Sequence, residues 1–193
     1  MRKFGIYGGT FDPIHHGHLL AAQAAMDELN LDRVIFIPAA VSPFKTHLGH
    51  PAASDEHRIR MLELALDGHP DMQISLREIR QGGVSYTIDT VRHLLSEFPG
   101  TDLFWIIGAD QCDSLHKWKN ADELRKLISF AAIPRPGIAG SDLPEGFSGQ
   151  VLEGHLVNIS STVIRERIRS GRSIRWMLPE PVADFIERNN LYL

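Results

Sequence analysis

Phe4-Gly5-Ile6-Tyr7-Gly8-Gly9-Thr10-Phe11-Asp12-Pro13-Ile14-His15-His16-Gly17-His18 is the stretch on which the reading of the chain turns. Its apolar opening, Phe4 to Tyr7, has the length and continuity of a buried strand. Beyond Gly17 the apolar positions Leu19, Ala22, Met26 and Leu29 fall at i, i+3, i+7 and i+10, one stripe of a helix. A strand that runs through a glycine-rich turn into a helix begins a strand-helix-strand unit, and the remaining chain repeats the theme.

Further apolar runs lie at Val34 to Ile37, Met72 to Ser75, Leu103 to Ile107, Phe130 to Ile133 and Leu156 to Ile159. Helical stripes separate them: Ile59, Leu62 and Leu66 within Asp55 to Leu66, and Val91, Leu94, Leu95 and Phe98 within Thr87 to Phe98. Alternation of this kind predicts an α/β fold, a Rossmann-like doubly wound parallel sheet with helices on both faces and right-handed crossovers. Ser160 to Arg172 reads as a basic helix and Pro181 to Asn190 as a short terminal one with its proline near the first turn. The expectation is one domain over residues 1–193, with a sheet core over 1–159 and a small C-terminal helical appendage over 160–193.

Three irregular stretches each follow an expected strand, where working loops sit. Pro38 to Ser54 carries Lys45 and two histidines, Gly108 to Asn120 carries Asp110, Asp113 and Trp118, and Pro134 to Gly149 reads as a mobile surface loop. The totals exclude several classes. With 193 residues, 20 Lys+Arg against 24 Asp+Glu and a net charge of -4, the chain has neither a nucleic-acid coat nor a polybasic membrane anchor. A single cysteine, Cys112, makes no internal disulfide and no multi-thiolate metal site, which fits a reducing compartment. With no signal-peptide pattern and no apolar run of roughly 20 residues, a cytoplasmic location without membrane or nucleic-acid partners is expected.

The first loop has phosphate chemistry. Gly8 and Gly9 lack Cβ atoms and let backbone N–H groups approach a ligand. His15 and His18, three residues apart at a helix start, can reach one anion, and Gly17 keeps the space between them open. The loop is neither of two common phosphate binders: the Gly-x-Gly-x-x-Gly spacing is missing, the second strand ends Ile35-Phe36-Ile37-Pro38-Ala39 without an acid, and no Gly-Lys-Ser/Thr occurs. A polar turn that merely caps the helix, or zinc ligation by His15 and His18 without supporting ligands, are the alternatives. His16 is assigned a structural role.

A second anion site is indicated at Ile159-Ser160-Ser161-Thr162-Val163-Ile164-Arg165. Three hydroxyl residues at a helix start are good N-caps and need no ligand. Arg165, placed by the reading in the first turn, opposes the helix dipole unless an anion sits there. Arg167, Arg169, Arg172 and Arg175 read as a solvated face.

These two motifs together resemble the nucleotidyltransferase superfamily with the His-x-Gly-His signature, and the fuller pattern is similar to the bacterial nicotinate-nucleotide adenylyltransferases. Ser85-Tyr86-Thr87-Ile88-Asp89-Thr90, Gly108-Ala109-Asp110 and Leu115-x-x-Trp118 carry the narrower likeness. The resemblance implies adenylyl transfer from ATP to nicotinate mononucleotide, yielding nicotinate adenine dinucleotide and pyrophosphate, with Mg²⁺ held mainly by the ATP phosphates. It implies a catalytic set of His15, His18 and Arg165. Around ATP it places Gly8, Gly9, Thr10, Phe11, Gly17, Gly108, Asp110, Arg135, Ser161 and Thr162, with Asp110 on the ribose and Arg135 near the adenine. Around the acceptor it places Asp12, Lys45, Tyr86, Thr87 and Trp118, the last stacked on the pyridine. Phe44 stands where the family commonly has histidine. No protein-held metal is implied, and a homo-oligomer is compatible with the resemblance. Nicotinamide mononucleotide or another phosphate as acceptor, and a non-catalytic nucleotide-binding regulator on the same fold, are the rival readings. Backbone N–H groups at Tyr86-Thr87, no acid next to them before Asp89, and Lys117 and Lys119 beside Trp118 lean toward the acid acceptor.

Overall fold

The structure is a computed structural model and describes residues 1–43, 51–134, 142–155 and 157–193. In chain order the elements are β1 (Arg2–Gly9), α1 (His16–Leu29), β2 (Arg33–Pro38), α2 (Asp55–Leu66), β3 (Met72–Ile74), α3 (Arg77–Gln81) and α4 (Thr87–Glu97). There follow β4 (Thr101–Gly108), a 3-10 segment (Ala109–Lys117), α5 (Ala121–Leu127), β5 (Ser129–Ile133), β6 (Gly149–Val151), α6 (Ser161–Arg169) and α7 (Glu180–Arg188). The strands form one sheet in the order β3-β2-β1-β4-β5-β6, and every neighbouring pair is parallel. This is the doubly wound α/β arrangement that the alternating runs predict.

Each face of the sheet has its own core, which is why the strands read as continuous apolar runs. On one face Val34, Phe36, Ile106 and Ala131 pack with α1, α2, α6 and α7 through Ala22, Met61, Leu62, Ile164 and Val182. On the other, Phe4, Ile6, Ile35, Ile37 and Trp105 pack with α4, α5 and the 3-10 segment through Ile88, Leu94, Leu124 and Leu115. Residues of the C-terminal helices therefore share a core with α1 and α2.

The sixth expected strand is corrected. Leu156 lies outside the described residues, 157–159 are irregular, and the sixth strand is Gly149–Val151, paired with β5. Three exposed residues, one of them glycine, carry no apolar signal, and an edge strand needs backbone partners on one side only. Gly149 is obligatory there: its φ is 136°, and a Cβ would collide with the Phe130 carbonyl. α3, α5 and the 3-10 segment also went unread, each too short or too polar to show a stripe.

The strand order reverses at β1, whose neighbours are β2 and β4. Connections leave the carboxyl ends of β1 and β4 in opposite directions, and a crevice opens between them.

Candidate active site

At the end of β1, Gly8 and Gly9 are shaped by aromatic rings. A Cβ on Gly8 would lie 2.8 Å from Trp105, and one on Gly9 would lie 2.9 Å from the ring of Phe11. These two positions thus offer a ligand backbone only. Phe11 takes φ 48° and is buried, with its ring edge-on to Tyr7 at 5.6 Å and to His18 at 5.1 Å. A bulky residue in the left-handed region costs roughly 1–3 kcal/mol, which ring burial offsets.

The carbonyls of the loop are drawn away by side chains from elsewhere. Arg58 donates to the Thr10 carbonyl at 2.7 Å, Arg165 to that of Asp12 at 2.7 Å, and Ser161 to that of Pro13 at 2.9 Å. Arg58 is fully buried and also holds Asp55 at 2.6 Å. Asp12 does not line the crevice. Its buried carboxylate accepts from the Ala52 N–H at 2.7 Å, the Ala53 N–H at 3.1 Å and the Tyr192 hydroxyl at 2.7 Å. In this structure the Asp12 carboxylate ties the loop to the Ala52–Ala53 backbone and to Tyr192. Burial, then the neighbouring Asp12 charge, pushes the Tyr192 hydroxyl pKa up, so the phenol stays a donor. Tyr192→Phe is expected to lower stability by about 1.5–3 kcal/mol, the worth of a hydrogen bond to a charged group, as read by urea unfolding.

His15 is the N-cap of α1, and its ring stacks on that of His18 at 3.7 Å between centroids. The His15 N–H donates to Nδ1 of His18 at 3.3 Å, and the His18 N–H donates to the His15 carbonyl at 2.9 Å. With Nδ1 accepting, a neutral His18 carries its proton on Nε2. Gly17 has a steric reason: a Cβ there would sit 3.0 Å from Nδ1 of His15 and 3.4 Å from the Ile159 carbonyl. His16 lies elsewhere, donating its N–H to the Met177 carbonyl at 3.0 Å.

The crevice is a cavity of about 390 Å³. One wall is the β1 exit from Tyr7 to Phe11 with His18; another is the β4 exit with Gly108, Asp110, Gln111 and Trp118; the third has Ala39, Glu78, Ser85 and Thr87. It thus gathers Gly8, Gly9, Thr10, Phe11, His18, Thr87, Gly108, Asp110 and Trp118 from the expected set. Asp110 is exposed there, whereas Trp118 is buried and lines the cavity.

Other expected residues stand off the cavity lining. His15 is buried beneath His18, and Tyr86 heads α4 with Lys119 over its ring at 4.1 Å. Lys119 pairs with Asp89 at 3.0 Å at the rim. Ser161, Thr162 and Arg165 border the loop at Asp12 and Pro13. Arg165 is the fifth residue of α6, just past the first turn in which it was expected, and folds back toward the helix start to reach Asp12 and Thr162. Ser160 is the cap, accepting from the Val163 N–H at 3.2 Å. Lys45, Phe44 and Arg135 lie outside the described residues.

Two residues of the site escaped sequence reasoning. Arg58 occupies the buried stripe of α2 beside Met61 and Leu62, and a charge on an apolar face was the available signal. Glu78, on α3, puts an acid in the cavity wall near Thr87, which the linear neighbourhood of Tyr86 and Thr87 conceals. Burial pushes its carboxyl pKa up; hydroxyls of Thr90 and Ser85, then Arg77, draw it partly back. Among the described residues no group of three or more His, Cys, Asp or Glu could hold a metal ion, so the donor set supplies no cage for one. No helix among them is long and apolar enough to cross a membrane.

The parallel sheet, the crevice at its point of reversal and the histidine pair at the first helix define the nucleotidyltransferase class of α/β protein. The profile of the cytidylyltransferase-like family matches residues 6–167. The chain is 41% identical over 192 residues to a Geobacillus kaustophilus protein named "Probable nicotinate-nucleotide adenylyltransferase", covering 100% of this chain and 87% of that one. It is 38% identical over 200 residues to the nicotinate-nucleotide adenylyltransferase of Bacillus subtilis, covering 100% of this chain and 99% of that one. In fold it is similar to a Plasmodium falciparum nicotinic acid mononucleotide adenylyltransferase solved in complex with APC, with a TM-score of 0.75, 19% identity, and coverage of 100% of this chain and 98% of that one. The chain belongs to the cytidylyltransferase-like family and, within it, to the nicotinate-nucleotide adenylyltransferases.

Proposed function

We propose that this protein transfers the adenylyl group of ATP to nicotinate mononucleotide, releasing pyrophosphate. The observation that carries the reading is the cavity at the strand-order reversal, with His18 on one wall, Asp110 on the second and the start of α4 on the third. A phosphate oxygen of the acceptor forms a bond to the α-phosphorus of ATP as the bond to the pyrophosphate oxygen breaks. Both the attacking and leaving groups are already anions, so no proton need be removed, and the protein's task is position and charge.

In this reading Nε2–H of His18 donates to the α-phosphoryl oxygens, and Asp110 accepts from the ribose hydroxyls. Thr162 and Arg165 hold the outer phosphates, with Lys45 contributing from its loop. Mg²⁺ enters with ATP on the phosphate oxygens and neutralises part of their charge. Trp118 would stack on the pyridine, and the family likeness assigns Arg135 to the adenine.

The start of α4 favours a carboxylate. Tyr86 makes no side-chain cap hydrogen bond, and the N-terminus of this 11-residue helix carries the positive end of the dipole, which favours an anion. The acid mononucleotide is therefore expected to be preferred over the amide by at least roughly tenfold in kcat/KM, about 1.4 kcal/mol of differential binding. Pyrophosphate release, measured side by side with the two acceptors in the presence of ATP and Mg²⁺, tests both activity and preference. Equal or better turnover of the amide refutes the acceptor assignment, and no turnover refutes the activity.

A further inference from the structure

We infer that Arg58 is a positioning residue for ATP: it fixes the Thr10–Phe11 peptide of the first loop, and with it the direction of the Phe11 N–H. The inference rests on the reading of that loop as the ATP side of the crevice. Arg58 is fully buried on α2, donates through Nη1 to the Thr10 carbonyl at 2.7 Å and is held through Nη2 by Asp55 at 2.6 Å. Thr10 and Phe11 both line the cavity, whereas no residue of α2 does. Arg58 therefore acts on the loop from behind and meets no substrate itself.

Stability is a weak reason for a guanidinium at this place. It sits in a stripe with Met61 and Leu62, and its Nε has no hydrogen-bond partner among the described residues. Apolar side chains of similar volume often match or better such a buried ion pair. What an apolar side chain cannot do is hold a carbonyl. In a trans peptide the C=O and the following N–H point in opposite directions, and the Thr10–Phe11 bond is not the cis one, which is Asp12–Pro13. Drawing the Thr10 carbonyl toward α2 thus turns the Phe11 N–H away from α2. In the inferred role that N–H donates to a phosphate oxygen of ATP. Phe11 takes φ 48°, a conformation that a bulky residue keeps only when its surroundings hold it. Arg58 holds the peptide that precedes Phe11, and Arg165 holds the carbonyl of the residue that follows it, at 2.7 Å. The acceptor wall at the start of α4 lies outside this arrangement, because the hydrogen bonds of Arg58 go to Thr10 and Asp55.

The test compares Arg58→Met and Asp55→Asn with wild type, and with Leu66→Ala as a destabilising change at the far end of the same helix. Arg58→Met is expected to lower kcat/KM for ATP at least roughly tenfold, while calorimetric titration of nicotinate mononucleotide gives an affinity within about threefold of wild type. Asp55→Asn, at a half-exposed position, loosens the grip on the guanidinium without removing it, and a loss of roughly threefold or more for ATP is expected. Leu66 is buried, so Leu66→Ala should lower the melting temperature, yet below that temperature its ATP parameters should stay within about twofold. A role confined to stability predicts the opposite pattern, with loss of activity following the melting temperature. Unchanged ATP parameters in folded Arg58→Met, equal losses for ATP and the mononucleotide, or a Leu66→Ala protein that reproduces the ATP loss would overturn the inference. If Arg58→Met does not fold, Asp55→Asn decides, and unchanged ATP parameters there overturn it. If wild type binds ATP but turns over neither mononucleotide, the proposed activity fails, and titration of ATP against the same variants still decides Arg58. If wild type does not bind ATP, both readings fall.

Discussion

His18→Ala is expected to lower kcat by roughly 100-fold or more in a protein that stays folded, the usual cost of losing one preorganised donor to a transition state. The ring is held on three sides: stacked on His15 at 3.7 Å, edge-on to Phe11 at 5.1 Å, and bonded through Nδ1 to the His15 N–H. That arrangement engages Nδ1 and fixes the direction of the ring, so little reorganisation is needed when charge shifts in the reaction. His18 is only partly buried, and its loss should cost the fold little. His16→Ala is the control; its backbone meets Met177, its side chain faces away from the crevice, and activity within a few-fold of wild type is expected. Steady-state turnover with circular dichroism checks both. A folded His18→Ala protein with near-normal kcat removes His18 from the chemistry.

Arg165→Ala carries the second large effect, a loss of roughly 30-fold or more in kcat/KM for ATP. The half-buried guanidinium spends Nη1 on the Asp12 carbonyl at 2.7 Å and Nη2 on the Thr162 hydroxyl at 3.3 Å. Both partners are neutral acceptors. Among the described residues Arg165 forms no ion pair with a carboxylate, which leaves its charge for a polyphosphate. Arg172, exposed and bonded to the Ser170 hydroxyl at 3.0 Å, stands for the rest of the basic run. Arg172→Ala should leave ATP kinetics within a few-fold. Equal losses in the two variants would mean that a diffuse basic surface, rather than one placed cation, meets the phosphates. Arg165→Lys separates the charge from the fork that grips Asp12: a single ammonium cannot hold the carbonyl and the hydroxyl in the same geometry.

What could be read from the sequence was what is local. α2 runs from Asp55 to Leu66 as its stripe indicates, and α4 begins at Thr87. His15 and His18 were legible because one helical turn brings three-residue neighbours together. The rest depends on chain segments that meet only after folding. Arg58 reaches Thr10 across 48 positions, and Tyr192 reaches Asp12 across 180. Glu78 was hidden for a related reason, since a five-residue helix has no periodicity to betray which face it buries. The glycines at 8 and 9 were noticed for what a ligand would need, whereas the structure adds the rings of Trp105 and Phe11 as claimants to the same space.

The bond from Tyr192 to Asp12 also bears on how the protein is made. A ribosome delivers residue 12 long before residue 192, and domains fold as they emerge. The first loop must therefore wait, its carboxylate unclaimed by the phenol, until the 180 residues that separate Asp12 from Tyr192 have been made. Arg58 and the 52–53 backbone come early and can secure the loop provisionally; Arg165 and Tyr192 come last. A nascent chain stalled before α6 would have the strands of the parallel sheet but neither Arg165 on the Asp12 carbonyl nor Tyr192 on its carboxylate, so the final geometry of the first loop is a late event of synthesis.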